Sequence, residues 1–196
     1  MRYRHYVALG VIVLVSIIIA GCTTAHEGES TLIIAVKDAP KITDFGTITH
    51  LWLNISEVSV HRASGNQTVI EDDEEEDATE SDDTGTAGWT IVVDEFQTVD
   101  LMQYINVSKI IGQKTMSPGK YTQIRLKIDS GTITVDDTEY TLGVPSGVLK
   151  LNRGFVLEED ETLKLTLDFN VEKSVIQTGA GQYMLKPVIA VISERM

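Results

Sequence analysis

Between residues 162 and 171 every second position is large and apolar, Leu163, Leu165, Leu167, Phe169 and Val171, while Thr162, Lys164, Thr166, Asp168 and Asn170 fill the places between. A period of two is that of a β-strand and does not match the 3.6-residue period of a helix. The stretch therefore demands a sheet with one face in water and one on a core. The rhythm recurs over 121–129, where Ile124, Leu126 and Ile128 alternate with Gln123, Arg125, Lys127 and Asp129.

Other segments supply the partners such a sheet needs. Residues 31–37 form a short run apolar on both faces, as in a strand covered on two sides. Over 49–62, Leu51, Leu53 and Ile55 oppose His50, Trp52 and Asn54, and the parity then switches to Val58 and Val60. One extra residue near Ser56-Glu57 reconciles the two sets, so a β-bulge is expected there. Residues 132–135 and 139–142 flank Asp136-Asp137 as a hairpin. Strands are also expected over 89–93 and on towards 101, over 148–151 and over 154–157.

Residues 101–111 read as a short helix capped by Asp100 and ended by Gly112, and Ser117-Pro118-Gly119-Lys120 as a type II turn. Residues 183–192 form a last strand, apolar on both faces, with Pro187 requiring an edge or a bulge. The sum is roughly nine strands and at most one short helix, an all-β, antiparallel two-sheet β-sandwich, immunoglobulin-like or prealbumin-like.

The start of the chain has a different character. Arg2, Arg4 and His5 precede an apolar run from Tyr6 to Ala20, closed by Gly21-Cys22. This is the three-part layout of an export signal, with Ile19-Ala20-Gly21-Cys22 as a lipobox. The expected domain plan is a signal at 1–21, a flexible tether at 22–30 and the sandwich at 31–196, with a disordered acidic insertion at 71–88. An uncleaved anchor and ordinary cleavage are the alternatives. Cys22 is the sole cysteine, so a disulfide within one chain and a thiolate metal cluster are both excluded. Acylated Cys22 would hold the protein at a membrane, outside the cytoplasm and at the cell surface.

The net charge is −13, or −15 without residues 1–21 (14 basic against 29 acidic), and ten of the acids lie between Glu71 and Asp83. Such a surface does not neutralise phosphates, so nucleic acid is not an expected partner.

The chain resembles an uncharacterised lipoprotein family, a domain of unknown function with a β-sandwich fold, found in bacteria and archaea. The match rests on Lys37-Asp-Ala-Pro40, Ile55-Ser-Glu-Val-Ser-Val-His61, Pro118-Gly-Lys-Tyr-Thr-Gln-Ile-Arg-Leu126, Val144-Pro-Ser-Gly147, Leu167-Asp-Phe-Asn170 with Lys173-Ser174, and Tyr183-Met-Leu-Lys-Pro-Val188. The chain departs from that pattern in Lys37, where a small polar residue is usual, in Asn170, where a second Asp is usual, and in its acidic insertion. The resemblance implies fold and surface location, and no activity.

Several residues are candidates for chemistry. Trp52, on the strand face opposite Leu51 and Leu53, is either packed under a loop or open to a sugar or a protein. Asp168 and Asn170 share the outer face of one strand and form a candidate ligand patch, against the plainer reading of a solvent face. Glu74, Glu75, Glu76 and Asp77 are weak Ca²⁺ candidates, since the acidic block lacks the spaced ligands and central Gly of an EF-hand loop. Asn54, Asn66 and Asn106 lie in glycosylation sequons, with Asn66 and Asn106 the candidate acceptors. His50 and His61 are the histidines outside the signal and tether, a thin basis for a metal-dependent hydrolase. The expectation is a non-catalytic module that binds or scaffolds an envelope protein or polysaccharide, with a cation- or small-ligand-binding lipoprotein as the alternative and the hydrolase third.

Overall fold

A computed structural model describes residues 28–38, 46–64 and 88–196. The fold is all-β: two sheets packed face to face, with thirteen strands among the described residues. The smaller sheet runs β13 (Ile189–Arg195), β10 (Thr162–Phe169), β1 (Ser30–Asp38), β5 (Lys109–Met116). The larger is built on two long central strands, β2 (Ile48–Arg62) and β6 (Gly119–Val135). On the side of β2 lie β3 (Gly88–Val93) and β4 (Gln97–Asp100). On the side of β6 lie β7 (Thr138–Gly143), β8 (Val148–Leu151) and β9 (Phe155–Leu157), and β7 leads on to β12 (Tyr183–Leu185) and β11 (Val175–Gln177). Pairing is mixed, since β1 runs parallel to β10 and β12 parallel to β7.

The alternation in the sequence becomes the core. Leu163, Leu165, Leu167 and Phe169 of β10 join Leu32, Ile34 and Val36 of β1, and face Leu51, Leu53, Ile55, Val58 and Val60 of β2 with Ile124, Leu126 and Ile128 of β6. On β1 the opposite face is buried too, at Ile33 and Ala35, as its apolar run requires. The parity switch in β2 has its bulge: pairing with β6 shifts between Asn54 and Ile55 and between Ile55 and Glu57. Leu53 and Val58 thereby reach the same core. Asp136 and Asp137 form a two-residue hairpin turn with φ of 46° and 64°, the type I′ geometry that suits strand twist.

Four expectations are corrected. Residues 101–111 are not a helix. Asp100 does cap, accepting from Met102 N, but the turn it starts is a 3₁₀ turn of four residues, Leu101–Tyr104, and Lys109–Met116 is a strand. The β-branched pair Ile110-Ile111 favours extended backbone. Gly112 sits inside β5, where a Cβ would stand 2.5 Å from Val93 Cγ2, so its bareness lets the two sheets approach. Residues 183–192 are two strands in different sheets, with Pro187 in the crossover between them. Residues 121–135 belong to one strand of 17 residues, not two. Ser117-Pro118 carries the chain from one sheet to the other, and Gly119 has φ 149°, outside type II geometry.

Candidate binding face

Burial of Leu51, Leu53 and Ile55 sends the side chains between them to the outer face of the large sheet. Trp52 is half-buried there, its ring stacked on His50 with centroids 6.1 Å apart and planes 14° apart. His50 is fixed in turn by Asp100, whose Oδ2 lies 2.7 Å from His50 Nδ1. Asp100 is buried and accepts three further hydrogen bonds, from Leu51 N (3.1 Å), Met102 N (3.2 Å) and Gln103 Nε2 (3.2 Å). Its carboxylate orients the imidazole and so the indole beside it.

Beyond the bulge the outward parity passes to Ser59 and His61. Here β3 brings Trp89 opposite His61, with ring centroids 5.0 Å apart, and β6 brings Arg125, whose Cζ lies 3.6 Å above the Trp89 ring. A guanidinium so close to an aromatic face is held by the ring quadrupole. His61 Nδ1 lies 3.2 Å from Thr122 Oγ1. Burial, with a contribution from the Arg125 charge, lowers the His61 pKa below 6.5.

Between the two tryptophans the outer face carries amide and hydroxyl groups together with the charged Glu57, Lys127 and Asp129. Asn54 Nδ2 donates to Ser130 Oγ and Thr98 Oγ1 donates to Asn54 Oδ1, both at 2.8 Å, and Ser56 Oγ donates to Asp129 Oδ1 at 2.8 Å. At about 3.3 Å per residue, Trp52 and the Trp89–His61 pair stand roughly 25–30 Å apart along β2. The result is a polar strip with an aromatic group at each end.

The same rise separates His50 from His61 by roughly 30–35 Å. The bulge does put both on one face, but they are too far apart to share an ion. Among the described residues no three His, Cys, Asp or Glu side chains are placed to hold a metal.

Asp168 and Asn170 lie elsewhere. Asp168 is on the outer face of the small sheet, on the far side of the core from Trp52, and pairs with Lys37 at 3.1 Å. The strand ends at Phe169, and Asn170 caps the short helix α1 (Val171–Ser174) by accepting from Lys173 N at 3.1 Å. Nearby, buried Asp38 accepts from Val171 N at 3.1 Å and Ser174 Oγ from Val188 N at 2.8 Å. These residues tie β1, β10, α1 and the Pro187 crossover together at one end of the molecule. Lys164 and Thr166, expected beside them, are respectively paired with Glu194 at 3.4 Å and buried.

Asn106 is exposed just after the 3₁₀ turn, whereas the Asn54 side chain is engaged in the strip. Cys22, Asn66, the Glu74–Asp77 cluster, the tether before Gly28 and the acidic insertion before Gly88 lie outside the described residues. The Trp89–Arg125–His61 group is not visible in the sequence, because it needs the pairing of β2 with β3 and β6. Trp89 and Arg125 stand out only as an aromatic and a cation on the outward parity of their strands.

Comparison with known families supplies the classification. A model described as Domain of unknown function (DUF4382) matches residues 29–187. The chain belongs to this family. Its members' shared description names no activity. None of the curated proteins matches. A solved structure similar to this chain is that of a "putative cell adhesion protein" from Bacteroides eggerthii, at 17% identity and a TM-score of 0.33, over 85% of this chain and 55% of that one. The chain thus spans about half the length of that protein.

Proposed function

We propose that this member of the family is a non-catalytic module, held outside the cytoplasm by an acylated Cys22, that binds an extended envelope polymer or protein along the outer face of its large sheet. One observation carries the reading: both tryptophans of the chain stand on that face, each beside a histidine, at the two ends of a polar strip of hydroxyl, amide and charged groups. Indole rings offer flat apolar area at little entropic cost, and the strip between them offers hydrogen bonds to a hydroxylated or peptide ligand. The Ca²⁺ reading is not favoured by Asp168, whose charge is met by Lys37.

The test uses the two indoles themselves as reporters. Envelope polysaccharide fragments are titrated into the full chain in detergent while tryptophan emission is followed. We expect a saturable shift, with binding at least about tenfold weaker in Trp52→Ala, equivalent to about 1.4 kcal/mol. Equal binding by the folded Trp52→Ala and Trp89→Ala variants would remove the outer face from consideration. Acylation is checked separately by the mass of the N-terminal peptide from membranes.

A further inference from the structure

The small sheet ends on β13, which among the described residues has a neighbour on one side only, β10. The phase of that pairing decides which backbone groups are committed. Met196 N donates to Thr162 O at 3.0 Å and Asn170 N to Val188 O at 2.9 Å. In an antiparallel ladder, bonded and non-bonded pairs alternate. The pairs 164/194, 166/192 and 168/190 therefore exchange hydrogen bonds, and Leu163/Arg195, Leu165/Ser193, Leu167/Val191 and Phe169/Ile189 do not. The N–H and C=O groups of Ile189, Val191, Ser193 and Arg195 consequently point away from β10, along the open edge.

The side chains of these four residues share the parity of the core-facing residues of β10, with Ser193 and Arg195 exposed at the rim. Ile189 and Val191 pack on the core, while Val191, Ser193 and Arg195 line a cavity of about 490 Å³. Its floor is Leu163 and Leu165, and across it stand Phe155 and Val156 of β9, a strand that is itself bonded only to β6 among the described residues. The cavity thus lies between two single-sided strand edges, one from each sheet. Edge strands are commonly blocked by charge, proline or a bulge. Ile189–Ser193 has none of these.

We propose that this gap is a strand-acceptor site: an extended segment of a partner protein adds to β13 and seats alternate apolar side chains in the cavity. Outward N–H and C=O groups at every second residue are the complement of another peptide backbone, and a lining that sets Leu163, Leu165, Phe155 and Val191 beside Arg153, Ser193 and Arg195 suits a strand carrying both apolar and polar side chains. The partner segment carries a carboxylate near the mouth. Arg153 stands there without an acidic partner among the described residues, whereas Arg195 is engaged by Glu161 at 2.5 Å. The site is independent of the outer face of the large sheet, so Trp52→Ala leaves it intact.

The probe is a fluorescein-labelled synthetic peptide with the sequence of β10, Thr162–Phe169, which carries the leucine alternation and a carboxylate and is a strand that β13 already pairs with. Anisotropy is followed as the full chain is titrated in. Two N-methylated versions, each blocking alternate amides, distinguish strand addition from other binding without altering the protein. We expect saturable binding, at least tenfold weaker for one methylated version and unchanged for the other, and weaker for Val191→Pro, which removes an edge N–H that β10 does not use. Equal binding by both methylated peptides, or no saturable rise up to about 1 mM, would overturn the proposal. A concentration-dependent dimer that Val191→Pro abolishes would also overturn it, by making a second copy the occupant.

Discussion

Asp100 is the residue on which the candidate face most depends, because one buried carboxylate caps the 3₁₀ turn, satisfies Leu51 N and aims His50. Asp100→Ala should leave two main-chain donors without their acceptor and cost about 2–4 kcal/mol in urea unfolding. Asp100→Asn should cost less, since one amide oxygen still accepts. His61 supplies a pH signature. Its pKa is lowered by burial and then by Arg125, so the folded state resists protonation. At pH well above 6.5 neither state is charged there. As pH falls through the unfolded value of about 6.5, the unfolded chain takes up the proton first and stability drops, levelling off below the folded pKa. In His61→Gln the loss in unfolding midpoint between pH 7.5 and the level reached below the folded pKa should therefore be smaller than in the native protein. A larger loss would reverse the assignment.

At the scale of elements, legibility followed the range of the interaction that decides each one. β10 was readable because Thr162–Phe169 carries its period in eight positions. The β2 bulge was readable because the mismatch between Ile55 and Val58 has one local remedy. The hairpin at Asp136-Asp137 was equally local. Both residues have positive φ there, a strained region for non-glycine side chains. Asp137→Gly should raise stability by about 0.5–1 kcal/mol in thermal unfolding. Asp136→Gly should gain less, since it gives up the hydrogen bond from Thr47 N to Asp136 Oδ1. What could not be read was decided at long range. Lys109–Met116 is a strand because β1 offers it an edge almost 80 residues away in sequence, an edge that no window around Asp100 reveals. The break between β12 and β13 depends likewise on which sheet has room for each.

At the scale of the whole molecule, the candidate face is a product of assembly. Trp52 was identifiable from parity alone, but its likeness to Trp89 emerges only when β2 lies between β3 and β6. Asp168 and Asn170 shared a parity in the sequence, yet only Asp168 is on the strand, because β10 ends at Phe169 and Asn170 caps a helix. Five of the six sequence motifs that mark the family fall into two structural roles in consequence, the sixth, residues 144–147, being the turn between β7 and β8. Those on β2 and β6 build the face, and those around Asp38, Asn170 and Ser174 close one end of the small sheet. The most direct measurement is hydroxyl-radical footprinting of the protein in intact envelopes against the purified full chain in detergent. Occupation of the outer face predicts that Trp52 and Trp89 are oxidised several-fold more slowly in envelopes while Tyr140, exposed on β7, reacts equally in both. Equal oxidation of the two tryptophans in both samples would contradict it.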